Sequence, residues 1–411
     1  MESCNTESSL DLPLESLSLQ PFLQSLHKEQ WQEVRLGDIT SIIGDGLHGT
    51  PNFDVNGECF FINGNNLNDG QIIIKKDTKK VSSIECAKYK KDINEKTILI
   101  SINGTLGNMA LYRGENIMLG KSACYLNFKD NVSRNFMRYV IINNDFQRYL
   151  NISATGTTIL NVSLKAIRDF TFLLPPLTIQ QKIAEILSSF DDKIDLLHRQ
   201  NKTLESLALT LFRHYFIDNP KRDEWELGKL GDYVKIIDNR GKTPPFTTDI
   251  TPYPLIEVNA LSDDSMLINY DIVRKYVIKE TYQKWFREHI KQYDILFSTV
   301  GSIGEVAMLL DNKGCIAQNV IGFRARDISP FYLYEWLKYM QQEIKEFDIG
   351  SVQPSIKVTH FVEKQIYKPD SKILESFDKQ MLLITDKISH NAKQIQNLQA
   401  MRDLMLRRMF N

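Results

Sequence analysis

A long amphipathic segment that occurs twice constrains this fold more than any other feature. From Pro175 to Phe216, apolar residues recur with the heptad spacing of a coiled-coil seam. Its seam positions are Ile183, Leu187, Phe190, Ile194, Leu197, Asn201, Leu204, Ala208 and Leu211. An isolated helix of this kind is marginal in water, so we expect it to bury the apolar stripe against a partner.

The chain supplies an equivalent segment 194 residues later. The corresponding seam positions are Phe377, Met381, Ile384, Ile388, Asn391, Ile395, Leu398, Arg402 and Met405. We therefore expect the two helices to pair with each other. Two ordinary core helices of a larger globule are the alternative. Asn201 and Asn391 are either register-setting polar contacts or tolerated edge residues.

The same offset extends through the rest of the chain, which indicates a tandem duplication. Trp31 and Leu36-Gly37-Asp38 recur as Trp225 and Leu230-Gly231-Asp232. With three residues inserted, the glycine-rich stretch that begins at Ile98 recurs from Ile295. Short apolar runs bounded by Gly, Asn and Asp predict strands at 71–74, 97–102 and 294–300, and helical patterns appear at 135–150 and 330–347.

The predicted fold class is α+β, with two tandem mixed domains separated by two long antiparallel helices in a pseudo-two-fold internal repeat. The predicted boundaries are an N-terminal extension at 1–30, a first domain at 31–174 and a central helix at 175–216. A polar linker at 217–224, a second domain at 225–369 and a C-terminal helix at 370–411 follow.

The composition of the chain limits the classes of function that it can have. The net charge of −1 gives no overall basic signature, so nucleic-acid binding would need local positive charge. The five cysteines form no CxxC pair, which favours reduced, mostly buried thiols and argues against a zinc site. No window approaches eighteen consecutive apolar residues and no signal-like N-terminus is present, so we expect a cytoplasmic protein without a membrane span.

No sequence motif in the chain indicates a catalytic site. Gly44 to Gly49 matches GxGxxG, but Pro51 and Asn52 follow at once where a dinucleotide-binding helix would have to begin. The chain has no phosphate loop, no nucleophile elbow and no Asn-Pro-Pro-aromatic motif of adenine methyltransferases. Asp191-Asp192-Lys193 has nuclease-like letters but lies on the helical stripe, where a solvated helix face is expected. The sequence predicts no catalytic residue.

Two repeated features suggest contact with DNA. The glycine-rich stretches are either structural turns or phosphate contacts through Ser101, Thr105, Ser298 and Ser302. Basic residues also crowd matching places in both domains, and they are either solvated surface or a DNA-binding patch. These are Lys75, Lys76, Lys79, Lys80, Lys88, Lys90 and Lys91 in the first domain and Arg240, Lys242, Lys275, Lys279, Lys284 and Arg287 in the second.

Together these motifs resemble the specificity subunit of Type I restriction-modification systems, from Trp31 to Phe410. The resemblance rests on the two Trp-x-x-x-x-Leu-Gly-Asp openings and on the Ile-Leu-x-Ser-x-x-Gly-[Thr/Ser]-[Leu/Ile]-Gly stretches. It rests also on Gly156-Thr157 with its counterpart Gly350-Ser351, and on Leu-Pro-Pro-Leu-x-x-Gln-Gln-Lys-Ile from Leu174. The second helix departs from the pattern, with Lys368-Pro369-Asp370-Ser371 in place of Pro-Pro-Leu.

The resemblance implies a non-catalytic, sequence-specific reader of double-stranded DNA. Each domain would recognise one half-site of a bipartite, asymmetric target, with a spacer set by antiparallel helices about 50 Å long. Two methylase subunits using S-adenosylmethionine and restriction subunits using ATP and magnesium would be its partners, so this chain itself would need no cofactor or metal. A DNA-binding regulator, an anti-restriction mimic and a two-domain adaptor outside restriction-modification are the alternatives.

Residue types that suit base edges and phosphates provide the candidate DNA contacts. In the first domain they are Thr50, Asn65, Lys79, Lys80, Ser101, Thr105 and Thr157; in the second they are Arg240, Lys242, Thr243, Asn259, Ser298, Ser302 and Gln353. The candidates for base contacts among them are Asn65, Lys79, Lys80, Arg240, Lys242, Asn259 and Gln353.

Overall fold

The structure, a computed structural model, describes residues 28–238, 241–262, 265–346 and 354–410. It divides into two compact units. The first contains residues up to Lys193 and from Asn397 onward, and the second runs from Ile194 to Gln396. The division passes through both long helices, so each unit holds one repeat domain and a segment of each helix. Of the N-terminal extension, only the 3-10 turn Lys28–Gln30 falls within the described residues.

The strands and helices are interspersed along the chain. The strands are β1 (Gln32–Arg35), β2 (Thr40–Asp45), β3 (Cys59–Ile62), β4 (Leu67–Asn68), β5 (Gln71–Ile72), β6 (Lys80–Val81), β7 (Thr97–Ser101), β8 (Met109–Leu111), β9 (Ile117–Leu119), β10 (Ala123–Phe128), β11 (Thr171–Leu174), β12 (Glu226–Lys229), β13 (Val234–Ile237), β14 (Leu255–Ile256), β15 (Ile295–Ser298), β16 (Val306–Met308), β17 (Cys315–Ile316), β18 (Val320–Ala325) and β19 (Gln365–Lys368). The helices are α1 (Leu36–Ile39), α2 (Ser83–Lys88), α3 (Arg134–Ile142), α4 (Asn144–Ser153), α5 (Leu164–Asp169), α6 (Leu177–Phe212), α7 (Leu230–Tyr233), α8 (Lys279–Trp285), α9 (Pro330–Tyr339), α10 (Gln341–Lys345), α11 (Val358–Phe361) and α12 (Ser371–Phe410).

The first repeat domain is built on a four-stranded antiparallel sheet in the order β2-β10-β7-β8. Strand β7, with the sequence Thr-Ile-Leu-Ile-Ser, is buried at every position, which explains its continuous apolar run. Beside it, β3 pairs in parallel with β9 and antiparallel with β6. Strands β1 and β11 pair at the two ends of the domain sequence, so the domain begins and ends on the same two-stranded ribbon.

The second repeat domain has the same main sheet topology, although its described residues form no strands equivalent to β4, β5 and β6. Its four-stranded sheet has the order β13-β18-β15-β16, β14 pairs in parallel with β17, and β12 pairs with β19. The equivalent strands follow each other in the same sequence order as in the first domain. The predicted duplication and the α+β class are therefore confirmed.

Some local predictions need correction. The helix expected over 135–150 is two helices, α3 and α4, because Asn143 adopts an extended conformation and its side chain accepts a hydrogen bond from the Asp145 amide at 3.2 Å. The strand expected at 71–74 ends at Ile72. Cys59 and Cys86 form a disulfide, contrary to the expectation of reduced thiols, whereas Cys124 and Cys315 are free and buried as expected.

In the second unit the two long helices pair antiparallel. The Asn391 amide donates to Asn201 Oδ1 at 2.8 Å, and the Gln380 amide donates to the Tyr215 hydroxyl at 2.5 Å. The later residue of α12 therefore contacts the earlier residue of α6, and the earlier residue of α12 contacts the π-helical turn Arg213–Ile217 that follows α6. The paired asparagines show that the polar seam positions contact each other, as the register-setting interpretation requires.

Most of the predicted seam positions are buried, and Leu211 and Arg402 are partly buried. In the second unit the buried positions include Ile194, Leu197, Phe377, Met381, Ile384, Ile388 and Ile395, with Leu204 partly buried, and in the first unit they include Ile183, Leu187, Phe190 and Leu398. In the second unit Phe377, Met381, Ile384 and Ile388 share one apolar cluster with the core of the second domain. The seam is therefore buried against the domain as well as against the other helix.

In the first unit a polar cluster centres on Asp191. This carboxylate accepts hydrogen bonds from the Tyr139 hydroxyl at 2.8 Å and Arg402 Nη1 at 3.0 Å, and it lies 3.1 Å from Arg138 Nη2. The prediction of a solvated face is therefore wrong for Asp191, although Asp192 and Lys193 are exposed. Burial, followed by the charge of Asp191, raises the pKa of Tyr139 well above its usual range.

The Asn201–Asn391 pair provides a first test of the helix seam. Asn391 is fully buried, and its Oδ1 has no partner within the described residues. We expect Asn201→Leu to reduce the free energy of unfolding by about 1–3 kcal/mol, because it leaves the whole Asn391 amide unpaired. Adding Asn391→Leu should recover most of that loss. Urea denaturation of both variants measures this, and equal losses in the single and double variants would contradict it.

Glu335 on α9 should make stability depend on pH. This side chain is 2% exposed, and burial raises its pKa to about 8. The unfolded chain ionises near the ordinary value while the folded state stays protonated, so stability falls as pH rises from about 4.5 to about 8, by at most ~1.4 kcal/mol per pH unit. In the Glu335→Gln variant the melting temperature should change less with pH over this range, and at pH 8 it should be higher than that of the wild type. Exposed Glu375→Gln is the matched control, and parallel profiles for wild type and Glu335→Gln would contradict the assignment.

Candidate nucleic-acid interface

Three loops of the first domain meet at the tight turn between β9 and β10. The Leu47 amide donates to the Leu119 carbonyl at 2.7 Å, the Gly120 amide to the Ile62 carbonyl at 2.8 Å, and the Ile102 amide to the Ser122 carbonyl at 3.0 Å. These bonds join the turn to the loops that carry Thr50, Asn65 and Thr105, all of which are exposed. The structure therefore brings three separately predicted residues onto adjoining loops.

A fourth loop, at 155–161, joins the same group. The Gly104 amide donates to the Leu160 carbonyl at 2.9 Å, and the Asn103 amide group donates to Asn161 Oδ1 at 3.2 Å. Thr157 lies on this loop and is exposed. The glycine-rich turn and the predicted Gly156-Thr157 motif are thus neighbours, although they lie about fifty residues apart in sequence.

The second domain repeats this arrangement. The Ala317 amide donates to the Ile256 carbonyl and the Thr299 amide to the Asn319 carbonyl, both at 2.9 Å. The turn between β17 and β18 therefore adjoins the loops that carry Asn259 and Ser302, which are exposed. Thr243 joins the same group, because its hydroxyl donates to Gln318 Oε1 at 3.2 Å. Arg240 and Gln353, which were also predicted here, lie outside the described residues.

A polar recess of about 290 Å³ lies among these loops of the second domain. Its lining consists of Thr243, Glu257, Val258, Asn259, Lys275, Ala317, Gln318 and Asn319. Lys275 Nζ lies 2.7 Å from Glu257 Oε1, so the one carboxylate in the lining is paired with a cation. The remaining polar groups are amides and a hydroxyl, which suit hydrogen bonding to uncharged donor and acceptor groups.

Two predicted phosphate contacts are wrong. Ser101 is fully buried and accepts a hydrogen bond from the Asn108 amide at 2.9 Å. Ser298 is also fully buried; it accepts from the Glu305 amide at 2.8 Å and donates to the Ser302 carbonyl. Both hydroxyls hold the glycine-rich turn closed from inside, so the structural interpretation of these serines is correct. Thr105 and Ser302 remain on the exposed side of the turn.

The glycines of this turn are required by backbone conformation. Gly104 and Gly107 have φ values of +78° and +79°, and Gly301 and Gly304 have +86° and +76°. A glutamine missed in the sequence analysis supports each turn: Gln147 donates to the Gly107 carbonyl at 3.1 Å, and Gln341 to the Gly304 carbonyl at 2.8 Å. The two glutamines are identical residues at the 194-residue offset, which was the available signal.

The predicted basic residues differ in the contacts that their side chains make. Lys79 Nζ lies 4.4 Å from the centre of the Phe53 ring, and Lys80 Nζ lies 5.2 Å from that of Phe60. In the second domain Lys284 is paired with Glu280 at 2.7 Å. Arg287 lies 3.5 Å from Asp238, while Lys242 is exposed. Part of the basic surface expected in the second domain is therefore neutralised by acidic neighbours.

The GxGxxG stretch does not form a nucleotide site. It continues from β2 into an extended loop, and a Cβ on Gly46 would lie 2.1 Å from the Leu119 carbonyl oxygen. The glycine is needed because two backbones approach closely. Within the described ranges, no helix is long and apolar enough to cross a membrane, and no group of three His, Cys, Asp or Glu side chains is placed to hold a metal ion.

Comparison with known proteins gives consistent similarities. The sequence profile of the Type I restriction modification DNA specificity domain matches residues 28–206 and 222–396. The chain is 26% identical over 335 residues to the Type I restriction enzyme MjaIX specificity subunit of Methanocaldococcus jannaschii, covering 75% of this chain and 76% of that one. It is 24% identical over 403 residues to the putative type I restriction enzyme MjaX specificity subunit of the same organism, covering 90% of each.

Among solved structures, the fold is similar to that of the S subunit of a Type I restriction-modification system from M. genitalium. The TM-score is 0.56 at 17% sequence identity, over 93% of this chain and 96% of that one. The match shows that the two chains share a fold.

The glycine-rich turn of the first domain offers a matched pair of substitutions. A Cβ on Gly104 would meet nothing within 4 Å, whereas one on Gly107 would lie 2.0 Å from Gln147 Oε1. Both residues have positive φ, so Gly104→Ala should lower the free energy of unfolding by about 1–2 kcal/mol through backbone strain alone. Gly107→Ala should cost about 1 kcal/mol more, because Gln147 must also give up its hydrogen bond. Urea denaturation compares them, and equal costs would show that Gln147 does not constrain the turn.

Proposed function

Because the chain belongs to the family of Type I restriction-modification DNA specificity proteins, we propose that it is the sequence-reading subunit of such a system. In this proposal each repeat domain binds one half of a split target in double-stranded DNA. The observation that carries it is the paired arrangement of loops: both domains gather exposed polar residues at the turn after an equivalent strand, β9 or β17. Because the residues on those loops differ between the domains, the two half-sites should differ as well.

The chain's own residues suit recognition rather than catalysis. The predicted contact residues that lie exposed on these loops carry amide, hydroxyl or ammonium groups, which bind base edges and phosphates. Methyl transfer and cleavage would then belong to partners: two methylase subunits that use S-adenosylmethionine, and restriction subunits that use ATP and magnesium. The chain would need no cofactor of its own.

The long helices would serve as the spacer and the partner-binding scaffold. Helix α6 has 36 residues, which corresponds to ~54 Å at 1.5 Å per residue. A continuous helix of this length is stiffer than a flexible linker. A constant number of base pairs between the two half-sites is the expected consequence.

The direct test is co-expression with a methylase candidate, sought among the neighbouring genes, followed by single-molecule sequencing of host DNA for methyl-adenine. A split motif with a constant gap is the expected result. A stable complex that neither binds DNA nor adds methylation would overturn the proposal in favour of a two-domain adaptor.

Lys242, a candidate base contact by its residue type, should instead contribute to affinity without contributing to sequence choice. Its exposed ammonium group suits a phosphate contact. We expect Lys242→Ala to weaken binding of the complex to target and non-target duplexes alike, and to make the slope of log affinity against log salt less negative by about 0.9. Lys291→Ala is the control, because this exposed lysine lies before the start of β15, whereas the glycine-rich turn with Ser302 follows the end of that strand. An unchanged slope for Lys242→Ala would reject the phosphate contact.

A further inference from the structure

We propose that Lys121 in the first domain and Gln318 in the second occupy one equivalent position, at which each domain reads a base of its half-site. This inference rests on the proposed function and names the residues that determine specificity. It comes from a turn that the sequence comparison did not single out, because its side chains are not repeated.

The backbone of this turn is the same in both domains. In the first, the Gly120 amide donates to the Ile62 carbonyl at 2.8 Å, and the Ala123 amide closes the turn onto the Gly120 carbonyl at 3.0 Å. In the second, the Ala317 amide donates to Ile256 at 2.9 Å, and the Val320 amide closes the turn onto Ala317 at 3.2 Å.

A third bond fixes the far side of each turn. The carbonyl of Ser122 accepts from the Ile102 amide at 3.0 Å, and the carbonyl of Asn319 accepts from the Thr299 amide at 2.9 Å. Three bonds therefore hold the backbone around a single exposed tip residue, Lys121 or Gln318. A side chain on so constrained a backbone is well placed for specific recognition.

The side chains at the turn differ while a neighbour is constant. Gln318 and Asn319 stand 197 residues after Lys121 and Ser122, the same offset that relates the glycine-rich turns. The adjoining 3-10 turns both carry an exposed asparagine, Asn65 or Asn259. A shared asparagine beside a changed tip residue is the pattern expected of two readers that use one geometry for different bases.

In the second domain the surroundings orient the tip. The Thr243 hydroxyl donates to Gln318 Oε1 at 3.2 Å, and Gln318 lines the polar recess with Asn259 and Asn319. An amide oxygen has two lone pairs, so this contact leaves one of them, together with the amide N–H groups, for a base. The pairing of Glu257 with Lys275 offsets the charge of the one carboxylate among the residues that line the recess.

In the first domain the neighbours of the tip are engaged with each other. The Ser122 hydroxyl donates to Asn63 Oδ1 at 3.0 Å and accepts from the Gly64 amide at 2.9 Å. Ser122 therefore holds the turn, while Lys121 is exposed at its tip and Asn65 is exposed on the adjoining 3-10 turn.

The chemistry of the two side chains then predicts the bases. A lysine ammonium only donates, which suits the O6 and N7 acceptors of guanine in the major groove. A glutamine amide both donates and accepts, which suits the N7 and N6 groups of adenine. We expect a guanine contact in the half-site of the first domain and an adenine contact in that of the second.

The test exchanges the two residues in the complete complex with its methylase subunits. Lys121→Gln should alter one base position in one half of the methylated motif, and Gln318→Lys one position in the other half, as read by single-molecule sequencing. Preference for the original base should fall roughly five- to hundredfold in each case. Each variant is the control for the other, because the half-site that it does not contact should stay the same.

Lys121→Ala and Gln318→Ala keep the test decisive if an exchanged side chain prevents assembly, because they remove only an exposed tip. Relaxed preference at one position is expected. A wild-type motif at wild-type occupancy in both alanine variants would overturn the inference and leave the proposed function standing. A uniform loss at all sites would instead assign both residues to phosphate binding. If the wild-type complex methylated no split motif, the proposed function would fail, and the inference with it.

Discussion

The apolar seam that joins the long helices to the second domain is the interaction on which the rest of the second unit depends. Phe216 lies in the π-helical turn after α6. The centre of its ring is 4.9 Å from that of Phe377 on α12 and 4.7 Å from that of Tyr332 on α9. One aromatic ring thus contacts both the other helix and the domain. Because long helices with an exposed apolar stripe are unstable alone, helices and domain must form a common core, and a change in either affects both.

The seam is not chemically uniform along its length. Asp191 and Arg402 form an ion pair in the first unit, whereas the residues related to them by the 194-residue offset are Thr385 and Ala208, both buried in the second unit. Both side chains are partly buried, so separating them is destabilising, although by less than the several kcal/mol that a fully buried charge without a partner costs. An exchange of helix segments between the two repeats would separate Asp191 from Arg402. The ion pair therefore opposes mispairing that the repeated heptads alone would permit.

How much the sequence predicted depends on what the repeat preserved. The offset identified equivalent strands and both long helices, because backbone pairing and core packing are kept in both copies. It misled for Ser101 and Ser298, since an identical serine marks a shared buried turn as readily as a shared binding site. Asp191 was misjudged because Tyr139, from a segment far away in sequence, covers it, and heptad spacing carries no information on such contacts. The Cys59–Cys86 pair likewise depends on β3 and α2 lying together.

Conservation between the repeats and recognition of different half-sites impose opposite demands on a sequence. The hydrogen bonds that hold the Gly120–Ala123 and Ala317–Val320 turns come from the backbone, so they persist whatever side chain the tip carries. An exposed tip also makes little contribution to the core, so substitution there costs little stability. If each domain reads its own half-site as proposed, residues that differ at turns with the same backbone hydrogen bonds are better indicators of base choice than residues that match. For the same reason Lys121 and Gln318 were absent from a comparison built on identities, while the asparagines at 65 and 259 were found.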